Sequence, residues 1–213
     1  MFSKPFRLVG DRSYVQGSQM LARAAEMLSE ATGERASLRD CGFHHLAAAD
    51  VEVDLIADDP ATAGYFGHAS FACPGGSHTF GFRSTDTPVQ RTEDQADWGL
   101  QPSVAPSGLS GEFAFDGVTD FESLLEVVIA GVKTMHSGLA QDVTDIWFTG
   151  CRKSDLPVYP PGRSGRLLVR PIRIMGRNGR FQTLCSAELQ FPDEVRRAIL
   201  SFAFKSRGFR HVD

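Results

Sequence analysis

Between Thr119 and Gly138 the apolar residues Phe121, Leu124, Leu125, Val128, Ile129, Val132 and Met135 recur at three- and four-residue steps. That spacing predicts an amphipathic helix with a broad apolar face. Thr119 or Asp120 can cap its start and Gly138 can end it. Val127, Ala130 and Gly131 leave the rest of the cylinder thinly polar, so this helix is expected to lie largely inside the fold, with strands on most sides. A shorter stripe, Met20, Leu21, Ala24, Ala25 and Leu28, predicts a first helix from Gln19 to about Thr32, stopped by Gly33.

The remaining apolar runs are short and partly alternating, as strands require. They fall at PFRLV (5–9), Leu38 to Ala47, Val51 to Ala57, Tyr65 to Cys73, His78 to Arg83, GEFAF (111–115) and Val143 to Gly150. GRLLVRPIRI and RFQTLCSAEL flank GRNG, where Asn178 and Gly179 supply the positive backbone angles of a two-residue hairpin turn. Pro171 cannot donate to a ladder, which places it on an edge or at a bulge. Pro192 to Leu200 reads as a short closing helix. From Ser84 to Ser110 the chain is polar, with Pro88, Pro102 and Pro106 spaced through it. This is expected to be a linker or surface wrap that Trp98 and Leu100 tack onto a sheet.

The order strand, helix, strand, hairpin occurs twice, although residue identities hardly match. The expected division is therefore an N-terminal half over 1–84, a linker over 85–110 and a C-terminal half over 111–213, within the size range of one or two small domains.

A formal net charge of −4 argues against a dominant phosphate-binding surface, so nucleic acid is not an expected partner. Four scattered cysteines, at 41, 73, 151 and 185, fit neither a zinc finger nor a dense disulfide framework. Reduced thiols in a cytoplasmic protein are the expectation. The start, MFSKPFRLVGDRS, has no signal-peptide core, and no apolar run is long enough to span a bilayer. The histidines at 68, 78, 136 and 211 show no metal-ligand spacing, so neither a metal nor a cofactor is expected.

SYVQGSQMLARAAEML with LRDCGFHHLAAADVEVDL, and later DFESLLEVVIAGVKTMHSG with the GRLLVRPIRIMGRNGRFQTLCSAEL hairpin, together resemble the hotdog fold. The resemblance implies an α+β double hotdog, two antiparallel sheets each wrapped around a central helix, with a tunnel for an acyl tail where the halves meet. It further implies a thioesterase or dehydratase acting on acyl chains carried by coenzyme A or acyl carrier protein. Two fused copies supply the pair that single-copy relatives build by dimerising, so either a monomer or a homodimer is compatible. The dehydratase pattern, a His ahead of a Pro-Gly turn with an acid on the central helix, is absent from both halves. Asp11, Tyr14, Val15 and Gln16 echo only loosely the Asp and Gly-His-Val-Asn-Asn run of hotdog thioesterases, with Tyr14 where the His would fall.

Thioester hydrolysis needs a base to activate water and donors to hold the oxyanion, and a helix N-terminus presents such donors. Before the first helix stand Asp11, Tyr14, Gln16, Ser18 and Gln19: Asp11 is the candidate base, with Gln16 or Gln19 positioning water or the thioester carbonyl, while an ordinary turn for Asp11 and a helix cap for Ser18 are the simpler account. Asp116 and Asp120 are the matching pair before the second helix, where capping accounts for them. His44 and His45, adjacent on an expected strand, face opposite sides, and His44 near Asp40 is the candidate to act as general base or polarise a carbonyl, with a histidine satisfied at the sheet surface as the simpler account. Glu126, mid-helix, fits a solvated face. Arg170 and Arg173 belong to a basic stripe, with Arg166, Arg177 and Arg180, that either attracts coenzyme A phosphates or an acidic carrier, or protects a sheet edge. The leading expectation is hydrolysis. The alternatives are an accessory protein that binds an acyl chain or a partner, a dehydratase, or an acyltransferase with Tyr14, Ser18 or Cys41 as nucleophile.

Overall fold

The computed structural model describes residues 5–9, 13–56, 64–92, 101–104 and 110–209. Its elements are β1 (Arg7–Val9), α1 (Gly17–Thr32), β2 (Ser37–Phe43), β3 (Val51–Ile56), β4 (Gly67–Cys73), β5 (Gly76–Ser84), β6 (Gln90–Thr92), β7 (Gln101–Val104) and β8 (Gly111–Phe115). They continue with α2 (Phe121–Leu139), β9 (Ala140–Gln141), β10 (Thr144–Arg152), β11 (Leu156–Pro157), β12 (Gly165–Arg177), β13 (Arg180–Gln190), β14 (Val195–Lys205) and β15 (Gly208–Phe209).

Both helices form where the apolar stripes place them. At the start of α2, Asp120 Oδ1 accepts the Ser123 N–H at 2.8 Å, while Ser123 Oγ accepts the Asp120 N–H at 3.0 Å. This reciprocal capping box satisfies two donors that a helix end otherwise leaves open. Leu124, Val127, Val128, Val132 and Met135 are all buried. Each contributes roughly 1.5–3 kcal/mol by leaving water.

The expectation of two separate sheets is corrected. A single 11-stranded sheet runs β3-β5-β4-β2-β10-β14-β13-β12-β8-β7, with β11 also on β2. Strands from before residue 85 meet those of the later part at β2–β10, where Gly150 lies opposite Gly42 and Cys151 opposite Cys41. The inward residues of both parts and of both helices form one hydrophobic cluster. Within it α1 packs on β3, β4 and β5, α2 packs on β8 and β12, and the two helices pack on each other. Phe121 of α2 also meets Phe71 of β4 edge to face.

Backbone chemistry makes the continuous seam possible. Gly150 has φ 153°, and a Cβ there would lie 2.3 Å from the Cys41 carbonyl oxygen. A Cβ on Gly67 would lie 2.8 Å from the Gly42 oxygen. Only glycine lets these strands approach so closely.

Of the closing helix expected over 192–200, Val195 to Leu200 instead belong to β14. Over Val195–Leu200 alone the apolar positions also suit a helix. The longer run decides otherwise, because Ala198, Leu200, Phe202 and Phe204 alternate inward. Pairing with β13 on one side and β10 on the other makes it a central strand.

The β12–β13 hairpin turns at Asn178 (φ 54°) and Gly179 (φ 75°), as expected. Pro171 sits at a register shift in β12, just past Val169 where pairing with β8 stops, so its missing N–H costs no ladder bond on that side. The expected linker contains β6, paired in parallel with β1, and the edge strand β7. Trp98 and Leu100 lie outside the described residues.

Gly131 sets how closely α2 can approach the sheet. A Cβ there would lie 2.4 Å from Leu167 Cδ2 and 3.4 Å from Phe113 Cδ2, both side chains fully buried. Gly131→Ala is expected to lower stability by about 1–3 kcal/mol, although alanine is the better helix former by about 1 kcal/mol. Urea denaturation checks this, and shortening Leu167 to valine in the same chain should recover part of the loss.

Candidate functional site

The backbone draws together two segments far apart in sequence. The Val15 N–H donates to the Ala47 carbonyl at 2.8 Å, which holds the entry to α1 against the stretch that follows β2. Tyr14, Gln16 and Gly17 thereby border a cleft with His45, and α2 closes it with Ile129 and Lys133. The Phe43 and Phe148 rings, 6.0 Å apart between centroids, form its aromatic wall. Gly17 is bare where that wall is nearest, because a Cβ would lie 3.1 Å from each ring.

The two helix starts differ. Gln16 is the N-cap of α1 and makes no side-chain cap bond, and no acidic residue occupies the first turn. The N–H groups of Gly17 and Ser18 thus have no partner among the described residues, where α2 carries its capping box and Glu122. Partial positive charge gathers at such an uncapped end.

The fold separates the candidates named from sequence. Tyr14 and Gln16 line the cleft. Asp11 lies outside the described residues. Ser18 is fully buried, and its hydroxyl has no partner among the described residues. Gln19 is committed elsewhere: its Oε1 accepts the Arg7 N–H at 3.1 Å and its Nε2 donates to the Arg7 carbonyl at 3.0 Å, pinning β1 to α1. Asp116 accepts the adjacent Gly117 N–H in an exposed turn, and Asp120 is the cap of α2. Arg170 and Arg173 stand exposed on β12 and do not line the cleft.

His44 and His45 are not on a strand, because β2 ends at Phe43. His45, not His44, borders the cleft, and the His44 N–H is spent on the Phe66 carbonyl at 2.8 Å. The adjacency of the two histidines was the available signal. The choice between them turned on where β2 stops. Lys133 and Ile129 went unnoticed because their role depends on how α2 crosses α1.

The cleft bordered by these described residues encloses about 30 Å³, room for about one water. Larger hollows lie elsewhere. One of about 560 Å³ runs over Trp147, Ala203, Gln182 and Met175, and one of about 580 Å³ lies between Arg35, Tyr159 and Arg196. Neither touches a helix N-terminus. Among the described residues no group of three or more His, Cys, Asp or Glu side chains could hold a metal ion. Among those residues, too, no helix is long and apolar enough to cross a membrane.

His136, on the last turns of α2, is a core residue. Its Nδ1–H donates to the Val132 carbonyl at 2.8 Å, so its Nε2 accepts the Thr183 hydroxyl at 2.7 Å. Phe202 and Phe204 pack on the ring. Burial lowers its pKa, with the Val132 contact opposing. The unfolded chain therefore binds a proton more readily, and the stability held above the unfolded pKa of about 6.5 is lost as pH falls below it. Urea midpoints measured from pH 7.5 to 5.5 should fall, at up to about 1.4 kcal/mol per pH unit for this one group. His136→Gln should flatten the slope.

No family model matches the sequence, and no curated protein sequence matches it. Solved structures give the fold. GphF dehydratase 1 superposes with a TM-score of 0.53 at 12% identity, over 94% of this chain and 88% of that one. The dehydratase domain from the CurJ module of curacin polyketide synthase gives 0.52 at 9% identity, over 90% and 82%. The tesB protein of Mycobacterium avium subs paratuberculosis aligns at 0.49 and 9% identity, over 97% and 91%. The chain has the hotdog fold, a mostly antiparallel sheet packed against a central helix.

Proposed function

We propose that this chain is a double hotdog, with residues 1–84 and 111–213 as its two copies joined by 85–110, and that it hydrolyses an acyl thioester at the N-terminus of α1. The observation that carries the reading is the contrast between helix starts: the end that faces a cleft is left without a cap, and the other is doubly capped. Support for the two copies comes from each helix packing on strands of its own half.

The thioester carbonyl oxygen would accept from the Gly17 and Ser18 N–H groups, which stabilise the negative charge that develops there. His45 takes a proton from water as the water oxygen bonds to the carbonyl carbon. The tetrahedral intermediate collapses, the carbon–sulfur bond breaks, and the proton on His45 passes to the departing thiolate. The acyl chain enters by parting Phe43 and Phe148 from Gly17. Its carrier is coenzyme A or acyl carrier protein, and Tyr14 and Gln16 position the headgroup beside the helix end.

Neighbours described as dehydratases share the fold. Dehydration needs a general acid opposite the base, and no carboxylate is among the described residues that line the cleft. That same lack supports a second reading, in which the cleft binds an acyl thioester without turning it over. Incubation with a panel of acyl-coenzyme A and acyl carrier protein thioesters, following free thiol, separates the two. Hydrolysis releases thiol in proportion to enzyme, whereas binding alone raises Tm with no thiol released. Neither response to any thioester in the panel would sink the proposal.

A further inference from the structure

The seam between the two parts of the sheet holds a pair of thiols that the proposed chemistry does not use. Cys41 of β2 and Cys151 of β10 lie directly opposite one another, and their sulfurs are 3.5 Å apart, with the Cys41 S–H directed at Cys151 Sγ. Both are free, and both are 5% exposed. The ladder joining β2 to β10 is only two residue pairs long, Gly150 with Gly42 and Cys151 with Cys41. The bare backbone of Gly150, where a Cβ would lie 2.3 Å from the Cys41 oxygen, lets the strands close until the sulfurs face each other. Cross-strand partners have the Cα separation that a disulfide spans. A side-chain rotation of about 1.5 Å at sulfur would bring the pair to the bonding distance of about 2 Å.

We infer that Cys41 and Cys151 are a redox modification site, a dithiol that hydrogen peroxide converts to a disulfide bridging the two parts of the sheet. One thiol sulfur attacks the peroxide O–O bond, giving a sulfenic acid and a molecule of water. The second thiol then displaces hydroxide from that sulfur and loses its proton, so the S–S bond forms as a second water leaves. Two electrons pass from the thiols to one peroxide. Burial raises the Cys41 pKa, which holds down the reactive thiolate and makes the step slow. The two residues are 110 apart in sequence, so the bond closes a long loop and removes many conformations from the unfolded chain. It also lies two residues from Phe43 and three from Phe148, along the strands that carry the cleft's aromatic wall.

The full chain is treated in two arms: folded, with hydrogen peroxide, and during refolding from urea in a glutathione redox buffer. Free thiols are alkylated under denaturing conditions, and peptides are mapped by mass spectrometry without reduction. The expected result is a Cys41-to-Cys151 linked peptide in at least one arm, with Cys73 and Cys185 still alkylated. Oxidised protein should melt about 5 °C or more above reduced protein. Cys41→Ser and Cys151→Ser should each abolish the shift, and Cys185→Ser should keep it. Failure of both arms to yield the linked peptide overturns the inference, as does a bridge between any other pair. The mapping needs no variant, so a serine substitution that fails to fold does not weaken it.

Discussion

Gly150→Ala is expected to cost about 2–6 kcal/mol. Two effects add. At φ 153° alanine is strained by roughly 1–3 kcal/mol. The new carbon would also lie 2.3 Å from the Cys41 oxygen and 3.1 Å from the Gly42 Cα, and backbone cannot swing aside as a side chain can. Forcing atoms into a packed site costs typically another 1–3 kcal/mol. The β2–β10 ladder must separate to admit it. Gly76→Ala is the matched control: φ there is 143°, yet nothing lies within 4 Å of the added carbon. Urea denaturation of both variants isolates the clash as the difference between them. Equal losses would mean that the seam yields freely and is not held by the close approach of the two backbones.

His45→Ala is expected to lower thioester hydrolysis by about 10²-fold or more, the scale that a positioned general base supplies. His45 borders the cleft beside the bare end of α1, whereas His44 does not. His44→Ala should therefore leave the rate within about twofold, and the adjacent pair forms its own control. Both residues are exposed, so neither change should move stability by more than about 0.5 kcal/mol, and a fall in rate can be read as chemistry. Thiol release with wild-type, His45→Ala and His44→Ala protein checks the assignment. An unchanged rate in His45→Ala, or the larger loss in His44→Ala, removes His45 as the base.

Local chemistry explains which elements were legible. Both helices announce themselves because a three- and four-residue apolar rhythm has no other regular solution, and Asn178-Gly179 specifies its hairpin by backbone angle alone. The end of the chain misled for the same local reason: Val195 to Leu200 suits either period until Phe202 and Phe204 are counted with it. At the site, Tyr14 and Gln16 could be named because they precede a helix. Gln19, Asp116 and Asp120 were named on the same ground, and each proves to be occupied by a bond within the fold. Whether a polar residue near a helix start is free or spent depends on what packs beside it.

The sequence by itself determined the two apolar helices, most of the strands and the turn chemistry between them, because periodicity and dihedral preference act over a few residues. Only the tertiary structure decided that the strands form one sheet and not two, which histidine reaches the cleft, and that Cys41 meets Cys151. The first and last of these depend on how closely β2 and β10 can approach, and the histidine on where β2 ends. That approach follows from Gly150, whose missing side chain matters only once the β2 backbone lies against it.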